Sequence, residues 1–551
     1  MHRRDFLNSI AAAAGAASLA ACRSQPPALP PGELLGTSLQ IGHRLREQGL
    51  PAVSETRKVP VLIVGAGVGG LAAGWKLAQA GFGDFLLVEL ESEAGGNSRA
   101  GRNAVSAYPW GAHYLPLPTR ESTAVRELLA ELGVLHGDAR AARPFYDENH
   151  LCATPQERLY LDGRWQEGLL PLTGVGAGER SQYRRFADLI ESFARRRDAS
   201  GRPAFALPMA LSSRDADLLR LDRSSMRDWL LAQGLDSPQL HWYVNHACRD
   251  DYGTASAAVS AWAGIHYFAC RSGEAENAAS DTVLTAPEGN AWLTTGMLRS
   301  IEARVGNRLL TGALAFRVEG GEGGAGDGPL TVDLWLPGEQ RTLRVLAEQL
   351  IWAAPLFLVP WVFSGHARLK DAARSFSYAP WLVANLTLSR PPEERSGAPL
   401  AWDNVLHRGS GLGYVVATHQ QMRVWRGGTV LTWYRSFDEL APEVARAALR
   451  ETPREAWAEQ ILAELEKPHA DIRHVTSRLD VFRNAHAMVR PVPGLIWSDA
   501  RARFAADGER LRFAHADVSG FSLFEEAQYR GILAAERTLQ RLRVRFSSSL
   551  A

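Results

Sequence analysis

The order of apolar and polar residues along the chain gives its first elements. Val61 to Val64 is an uninterrupted apolar run, as expected of a strand buried on both faces of a parallel sheet. A helical pattern follows from about Gly69 to Ala80, and Phe85 to Val88 is a second apolar run. Strand, tight turn, helix and strand in this order predict a βαβ unit. Helical spacing returns over Ser122 to Leu132, Ser181 to Arg197 and Ser224 to Gln233. Apolar runs at Leu382 to Leu388 and Thr429 to Tyr434 predict a sheet, and Arg308 to Val318 with Leu330 to Leu336 predict paired strands.

The residues between the first strand and helix carry chemistry. Gly65, Gly67 and Gly70 fit GxGxxG, with Gly69 inside the same turn. The first glycine makes the turn, the second lets backbone approach a pyrophosphate, and the third lets helix and strand pack closely. The helix N-terminus then points its free amides at the phosphates. Glu89 ends the second strand, 19 residues beyond Gly70, where a carboxylate accepts hydrogen bonds from a ribose. Packing alone also places small residues in such turns, but this context of strand, helix and acid favours a bound dinucleotide.

Composition narrows the classes. With 551 residues the chain can bury a large core in two joined domains, and a net charge of +1 leaves no basic footprint for nucleic acid. The cysteines are Cys22, Cys152, Cys248 and Cys270, with no CxxC pair, and no HExxH spacing occurs, so no metal site is expected. Sixteen tryptophans imply a large aromatic core, some of which can wall a substrate cavity. Gly320 to Gly328 reads as a solvent-exposed hairpin loop.

The N-terminus reads as an address. Arg3 and Arg4 precede Asp5, Phe6 and Leu7, and an Ala-rich apolar run follows. This resembles a bacterial twin-arginine export signal, which carries folded proteins to the periplasm or cell envelope and so makes the export machinery a partner. Leu19-Ala20-Ala21-Cys22 also resembles a lipobox, with Cys22 as the lipidated residue; the alternative is a cleaved signal with an incidental cysteine. Residues 1–22 are then the signal and 23–57 a linker to the folded region. Membrane association would come only through the lipid.

The second glycine pair narrows the cofactor. Gly95-Gly96-Asn97-Ser98-Arg99 follows Glu89 and Glu91 and resembles the turn of the flavin-containing amine oxidase and phytoene desaturase superfamily. In that family the turn wraps the pyrophosphate and ribityl chain of FAD. A second resemblance lies in Leu511 to Glu536, LRFAHADVSGFSLFEEAQYRGILAAE. It implies a strand over Phe513 to Ala516, Asp517 holding a ribityl hydroxyl, and a long helix opening over Ser522, Phe524 and Glu526 toward the flavin. Ala527 and Gly531 are that helix's small packing face. A third, LAEQLIWAAP from Leu346 to Pro355, resembles the family's return to the FAD domain and implies that backbone near Ala315 lies by the adenine.

The fold this implies is α/β, a Rossmann-like FAD-binding domain with an interleaved α+β substrate domain. Residues 58–120, 291–358 and 486–545 form the first, and 121–290 with 359–485 the second. The resemblance implies an FAD-dependent oxidoreductase that moves hydride from an amine to flavin N5, similar to exported polyamine dehydrogenases of the spermidine dehydrogenase kind. The alternatives are a desaturase or isomerase acting on an apolar substrate, and a non-catalytic envelope protein retaining the flavin fold. Three residues are candidates for the chemistry. His113, in Tyr108-Pro109-Trp110-Gly111-Ala112-His113-Tyr114, faces substrate or serves as a structural hydrogen-bonding group. Asp250 and Asp251, in Arg249-Asp250-Asp251-Tyr252-Gly253, orient an amine or cap a helix-terminal turn. No lysine among Lys58, Lys76, Lys370 and Lys467 sits in a matching motif, and with no CxxCH haem motif the electrons would pass to oxygen or to a diffusible or membrane acceptor.

Overall fold

The computed structural model describes residues 28–47, 49–320, 328–420, 427–506 and 508–550. The signal, Cys22 and the start of the linker lie outside them, as does most of the Gly320–Gly328 loop. A strand β1 (Leu34–Gly36) and a short helix α1 (Leu39–His43) precede the long strand β2 (Glu55–Val64). The glycine turn leads into α2 (Val68–Gln79), and β3 (Phe85–Val88) follows. A first excursion holds α3 (Thr123–Glu131), the paired strands β4 (Glu157–Leu161) and β5 (Arg164–Glu167), and then α4 (Ala177–Arg195), α5 (Met226–Ala232), α6 (Pro238–Tyr252) and α7 (Ala261–Ala269). The chain returns through α8 (Ala291–Val305), β6 (Leu309–Leu310), β7 (Leu314–Glu319), β8 (Leu330–Leu336) and β9 (Arg341–Trp352). A second excursion forms β10 (Tyr378–Leu388), β11 (Asp403–Leu406), β12 (Gly413–Val416), β13 (Thr429–Ser436) and β14 (Thr476–Val489). Strand β15 (Leu511–Phe513) and helix α9 (Phe524–Arg541) come last.

Two sheets result. The first runs β6-β3-β2-β9-β8-β7, with β15 also beside β9; β6, β3, β2, β9 and β15 are mutually parallel, and the β9-β8-β7 meander is antiparallel. The second runs β1-β14-β10-β13-β12-β11-β4-β5. Buried apolar faces explain the first: Val61, Leu62 and Ile63 of β2 have no exposed surface, α2 packs on Val61 and Ile63 with α8, α9 and α3, and Leu62 points into the core on the other face. The mixed α/β architecture expected from the sequence is therefore present.

Several boundaries differ from the sequence expectation, each for a packing reason. The linker does not extend to residue 57: β1 pairs in parallel with β14, and Ser38 donates its backbone N–H and hydroxyl to the Glu91 carboxylate at 2.8 and 3.0 Å. Helix α3 was expected in the substrate domain, but its Val125, Leu128 and Leu129 join the core of α2. Val359 to Ala373 likewise packs under the first sheet rather than the second. Strand β14 carries the second sheet on to Val489, past the expected boundary at 486. The Arg308–Val318 run is two strands, because Gly312 adopts φ +68° and sends Leu309–Leu310 to pair with β3. The last strand ends at Phe513, and Ala516–Ser519 forms a 3₁₀ turn.

The crossing of α2 and α9 is one of the tight backbone approaches in the first domain. A Cβ on Gly531 would lie 2.1 Å from the Gly69 carbonyl oxygen, and one on Gly69 would lie 2.1 Å from that of Ala514. Gly70 has the same relation to Gly65, at 1.8 Å. These contacts require backbone against backbone, so any side chain forces the elements apart. Gly531→Ala is expected to destabilise the protein by about 1–3 kcal/mol, read as an earlier denaturation midpoint. Gly178→Ala, in the first turn of α4 with open space around it, is expected to be neutral or stabilising by up to about 1 kcal/mol.

Candidate functional site

The ends of β2 and β3, the N-termini of α2 and α9, and the turn from Gly95 to Arg99 enclose a cleft of about 370 Å³. Two glycine turns form its floor. Gly65, at φ +98°, donates to the Val88 carbonyl at 2.8 Å, and Gly95, at φ +123°, donates to Ala66 at the same distance. Gly67 and Gly96 then face each other: a Cβ on Gly96 would stand 3.1 Å from the Gly67 Cα. A Cβ on Gly67 meets only Gly96, at 3.8 Å, and otherwise enters the cleft. Gly67 is thus the position kept bare for a ligand, whereas Gly70 and Gly95 lie behind the lining and shape the turns.

Helix α2 begins at the N-cap Gly67 and α9 at the N-cap Leu523, and neither has a side-chain cap. Their first amides are free for anionic groups in the cleft. Ser522 does not cap α9; its hydroxyl accepts the Val489 N–H at 2.9 Å. Glu89 lines the cleft with its carboxylate fixed by the N–H groups of Ala66 (2.7 Å) and Glu91 (3.0 Å). Burial raises its pKa, against those two hydrogen bonds. Arg99 lies beside Glu91, at 3.4 Å, and donates Nε to the Gly96 carbonyl. Asn97 reaches the second sheet, donating to Ala487 at 2.6 Å and accepting from Asn484 at 3.0 Å. Ser98 is buried, with its carbonyl accepting from Thr294. Ala315 stands on the wall formed by β7, next to the Ala313 N–H that donates to Glu89 O at 2.9 Å.

Asp517 tests whether the cleft suits a polyhydroxylated ligand. It is fully buried, and its Oδ2 accepts from Leu356 N (2.9 Å) and Tyr378 OH (2.7 Å). Its Oδ1 faces His515 Nδ1 at 3.1 Å, a nitrogen that also accepts the Asp517 N–H. Burial favours protonation, but His515 and these hydrogen bonds outweigh it and hold the carboxyl below the usual carboxylate range. A buried carboxylate oxygen has room for more than one donor, and a sugar or ribityl hydroxyl can supply one to Oδ1 beside His515. The donor set therefore fits a dinucleotide: bare glycine backbone and helix N-termini for phosphates, carboxylates for hydroxyls. The segment before β2 completes the rim, since Thr37, Ser38, Leu39, Gly42, His43 and Arg46 line the same cleft.

A second chamber, about 140 Å³, adjoins the cleft. Asn97, Ala112, Asn484, Ala487, Ser522, Leu523 and Phe524 line both. Its walls are aromatic: Trp110, His113, Tyr114, Trp381 and Tyr434. All three candidate residues from the sequence line it. His113 stacks on Tyr434 with ring centroids 4.5 Å apart, and burial brings its pKa down to about 4, so the ring is neutral at ordinary pH. Asp250 accepts from Tyr114 OH at 3.3 Å. Asp251 Oδ1 accepts from Arg271, whose other nitrogen donates to Tyr114 OH at 3.1 Å. The guanidinium also covers the Tyr267 ring at 4.0 Å.

The aspartates do not cap a helix. They occupy the last turn of α6, and Gly253 at φ +57° is its C-cap. The dipole opposes carboxylates at that end. Burial raises both pKa values, that of Asp251 to about 6. Asp251 Oδ2 has no partner among the described residues. Glu525, in the first turn of α9, also lines the chamber; burial pushes its pKa up to about 7. No lysine lines either cavity. Lys76 is buried and donates to Ser547 O at 2.6 Å. His246 is stacked on Trp242 outside the chamber. Sequence reasoning missed Arg271 and Glu525. Glu525 had one signal, its place in the first turn of the helix expected to face the cofactor; Arg271 had none.

Comparison with known proteins agrees with this geometry. Residues 63–132 match the model of the NAD(P)-binding Rossmann-like domain. No curated protein matches the chain. Among solved structures, putrescine oxidase bound to putrescine is similar over 87% of this chain and 99% of its own, at 16% identity and a TM-score of 0.62. Cyclohexylamine oxidase from Brevibacterium oxydans IH-35A is similar over 88% of this chain and 100% of its own, at 15% identity and a TM-score of 0.61. The chain thus has the two-domain fold shared by these oxidases, with a Rossmann-like domain at its N-terminal end.

Proposed function

We propose that this protein is an exported FAD-dependent oxidoreductase that oxidises an amine, with polyamines as the substrate class. The chamber carries the reading. It adjoins the dinucleotide cleft at the N-terminus of α9 and holds three carboxyl groups between aromatic walls, with Asp251 Oδ2 unpaired among the described residues. Unpaired anionic oxygens in a dry site are expensive; a substrate ammonium offsets that cost, and ring faces add about 0.5–2 kcal/mol for a cation. The similar folds of putrescine oxidase and cyclohexylamine oxidase support an amine as the substrate. A desaturase or isomerase for apolar molecules needs a wide apolar tunnel, and a chamber of about 140 Å³ with three carboxyl groups and Arg271 favours the amine.

In this reading the Gly67 and Gly96 backbone holds the FAD pyrophosphate, Glu89 a ribose, and Asp517 Oδ1 a ribityl hydroxyl. The free amides of α9 favour negative charge at the end of the cleft that joins the chamber. Bound flavin supplies a hydride acceptor. The aromatic walls orient the substrate and exclude water, and Asp250 and Asp251 hold its charged nitrogen or nitrogens. Export rests on Arg3 and Arg4 and on the advantage of loading a cofactor before translocation of a folded protein. Periplasmic or envelope location, lipidation at Cys22, and oxygen or another molecule as electron acceptor belong to the same proposal.

Purified protein is expected to be yellow, and anaerobic polyamines are expected to bleach its flavin absorbance; yellow protein that no amine bleaches would refute the amine reading. Asp251→Asn should raise the amine concentration for half-maximal bleaching about tenfold or more, the loss of a hydrogen bond to a charged group. Gly67 has φ −73° and ψ −171°, which valine adopts freely. Gly67→Val should therefore fold with the denaturation midpoint of flavin-free wild type and purify colourless. Retained colour in that variant would mean the cofactor lies elsewhere.

A further inference from the structure

Resting on the amine reading, we infer that Glu525 is the group that takes the proton from the substrate ammonium before oxidation. An ammonium has no lone pair, and a C=N bond cannot form as hydride leaves the α-carbon until one is freed. The chamber therefore needs a proton acceptor as well as a cation holder, and its carboxyl groups are not equivalent. Asp250 is tied to Tyr114, and Asp251 is paired with Arg271. Glu526, next in sequence, is spent on the fold: it is fully buried, and its Oε1 accepts the Met209 N–H at 2.5 Å.

Glu525 differs from all three. It is 4% exposed, it lines the chamber, and the hydrogen bond that bears on its carboxyl comes from its own backbone amide rather than from another side chain. It stands in the first turn of α9, whose free amides also border the cleft. The groups around it come from every side of the chamber: Asp250 and Asp251 from α6, Arg271 after α7, His113 and Tyr114 from the segment after the second glycine turn, and Glu526 from its own helix. Burial and the neighbouring carboxyls favour a proton on Glu525, while Arg271 and the α9 amides favour the anion. The balance lies near neutral pH. Arg271 and burial also weaken the hold of a substrate ammonium on its own proton. In the step, an N–H bond of the ammonium breaks and an O–H bond forms on Glu525. The electron pair stays on nitrogen, and no oxidant or reductant is consumed.

Two measurements on the flavin-loaded protein test this. In anaerobic stopped flow, the wild-type rate of flavin bleaching should rise through an apparent pKa near neutrality. Glu525→Gln, with its bound flavin absorbance intact as the check on folding, should lose that limb. It should be slower at neutral pH by about 10²–10⁴-fold and recover as pH approaches the amine's own pKa. In difference infrared spectroscopy, an amine without an α-hydrogen should produce a protonated-carboxyl band in the wild type and none in Glu525→Gln, and a quaternary ammonium should produce none in either. If amines bleach the wild type but Glu525→Gln keeps both the limb and the band, the role of Glu525 is overturned and the amine reading stands. If no amine bleaches the wild type, the amine reading itself fails.

Discussion

The contact on which the site depends is the backbone-to-backbone crossing of α2 and α9 at Gly69 and Gly531. Only glycine at these positions lets the two helices approach so closely. The consequence is electrostatic. Both helices start at the cleft and neither is capped by a side chain, so two sets of free amides converge on one space. Two positive helix ends side by side repel weakly, and an anionic ligand between them removes the penalty. The first domain therefore presents a site suited to an anionic group.

The second sheet supplies what the first cannot. Strand β14 leaves it and runs along the junction, where Asn484 and Ala487 line both cavities and Asn97 of the glycine turn is bonded to each. The segment before β2 does the same at the other rim: β1 extends the second sheet, and Ser38 grips Glu91 of the first domain. Through Arg99, Glu91 is joined in turn to the Gly96 carbonyl. The dinucleotide cleft is thus closed by residues from both domains, and its geometry depends on how the sheets are docked.

This division explains what could be read from the sequence. The first glycine turn and Glu89 were legible because backbone conformation and a strand end dictate them locally, whereas Gly95, Gly96 and Asp517 were legible only through resemblance to a known family. Gly65 and Gly95 need positive φ, and a carboxylate at a strand end has few other uses. The chamber was legible only as isolated clusters. Asp250 and Asp251 stood out as paired acids, yet their partner Arg271 comes from a different segment and carries no local signature. The N-terminal segment was the clearest failure: a three-residue strand and a five-residue helix leave no periodicity, and their value lies in partners hundreds of residues away. Domain boundaries slipped for a related reason, since α3 and Val359 to Ala373 follow the core they bury into rather than the excursion they belong to.

The charges of the chamber show why such a site selects its ligand by charge before shape. Asp250, Asp251 and Glu525 face a single guanidinium, that of Arg271. With every group ionised the chamber carries an excess of negative charge in a poorly solvated space. Burial raises all three carboxyl pKa values, against the pull of Arg271. A ligand that arrives with positive charge offsets the excess of negative charge. A neutral ligand of the same size leaves that excess in place and gains only apolar contact with the rings. An anion must bring its charge next to three acids and compete for the single guanidinium already held by Asp251. On the proposed amine reading, the charge balance of the chamber sets the ligand class, and the aromatic walls set its orientation.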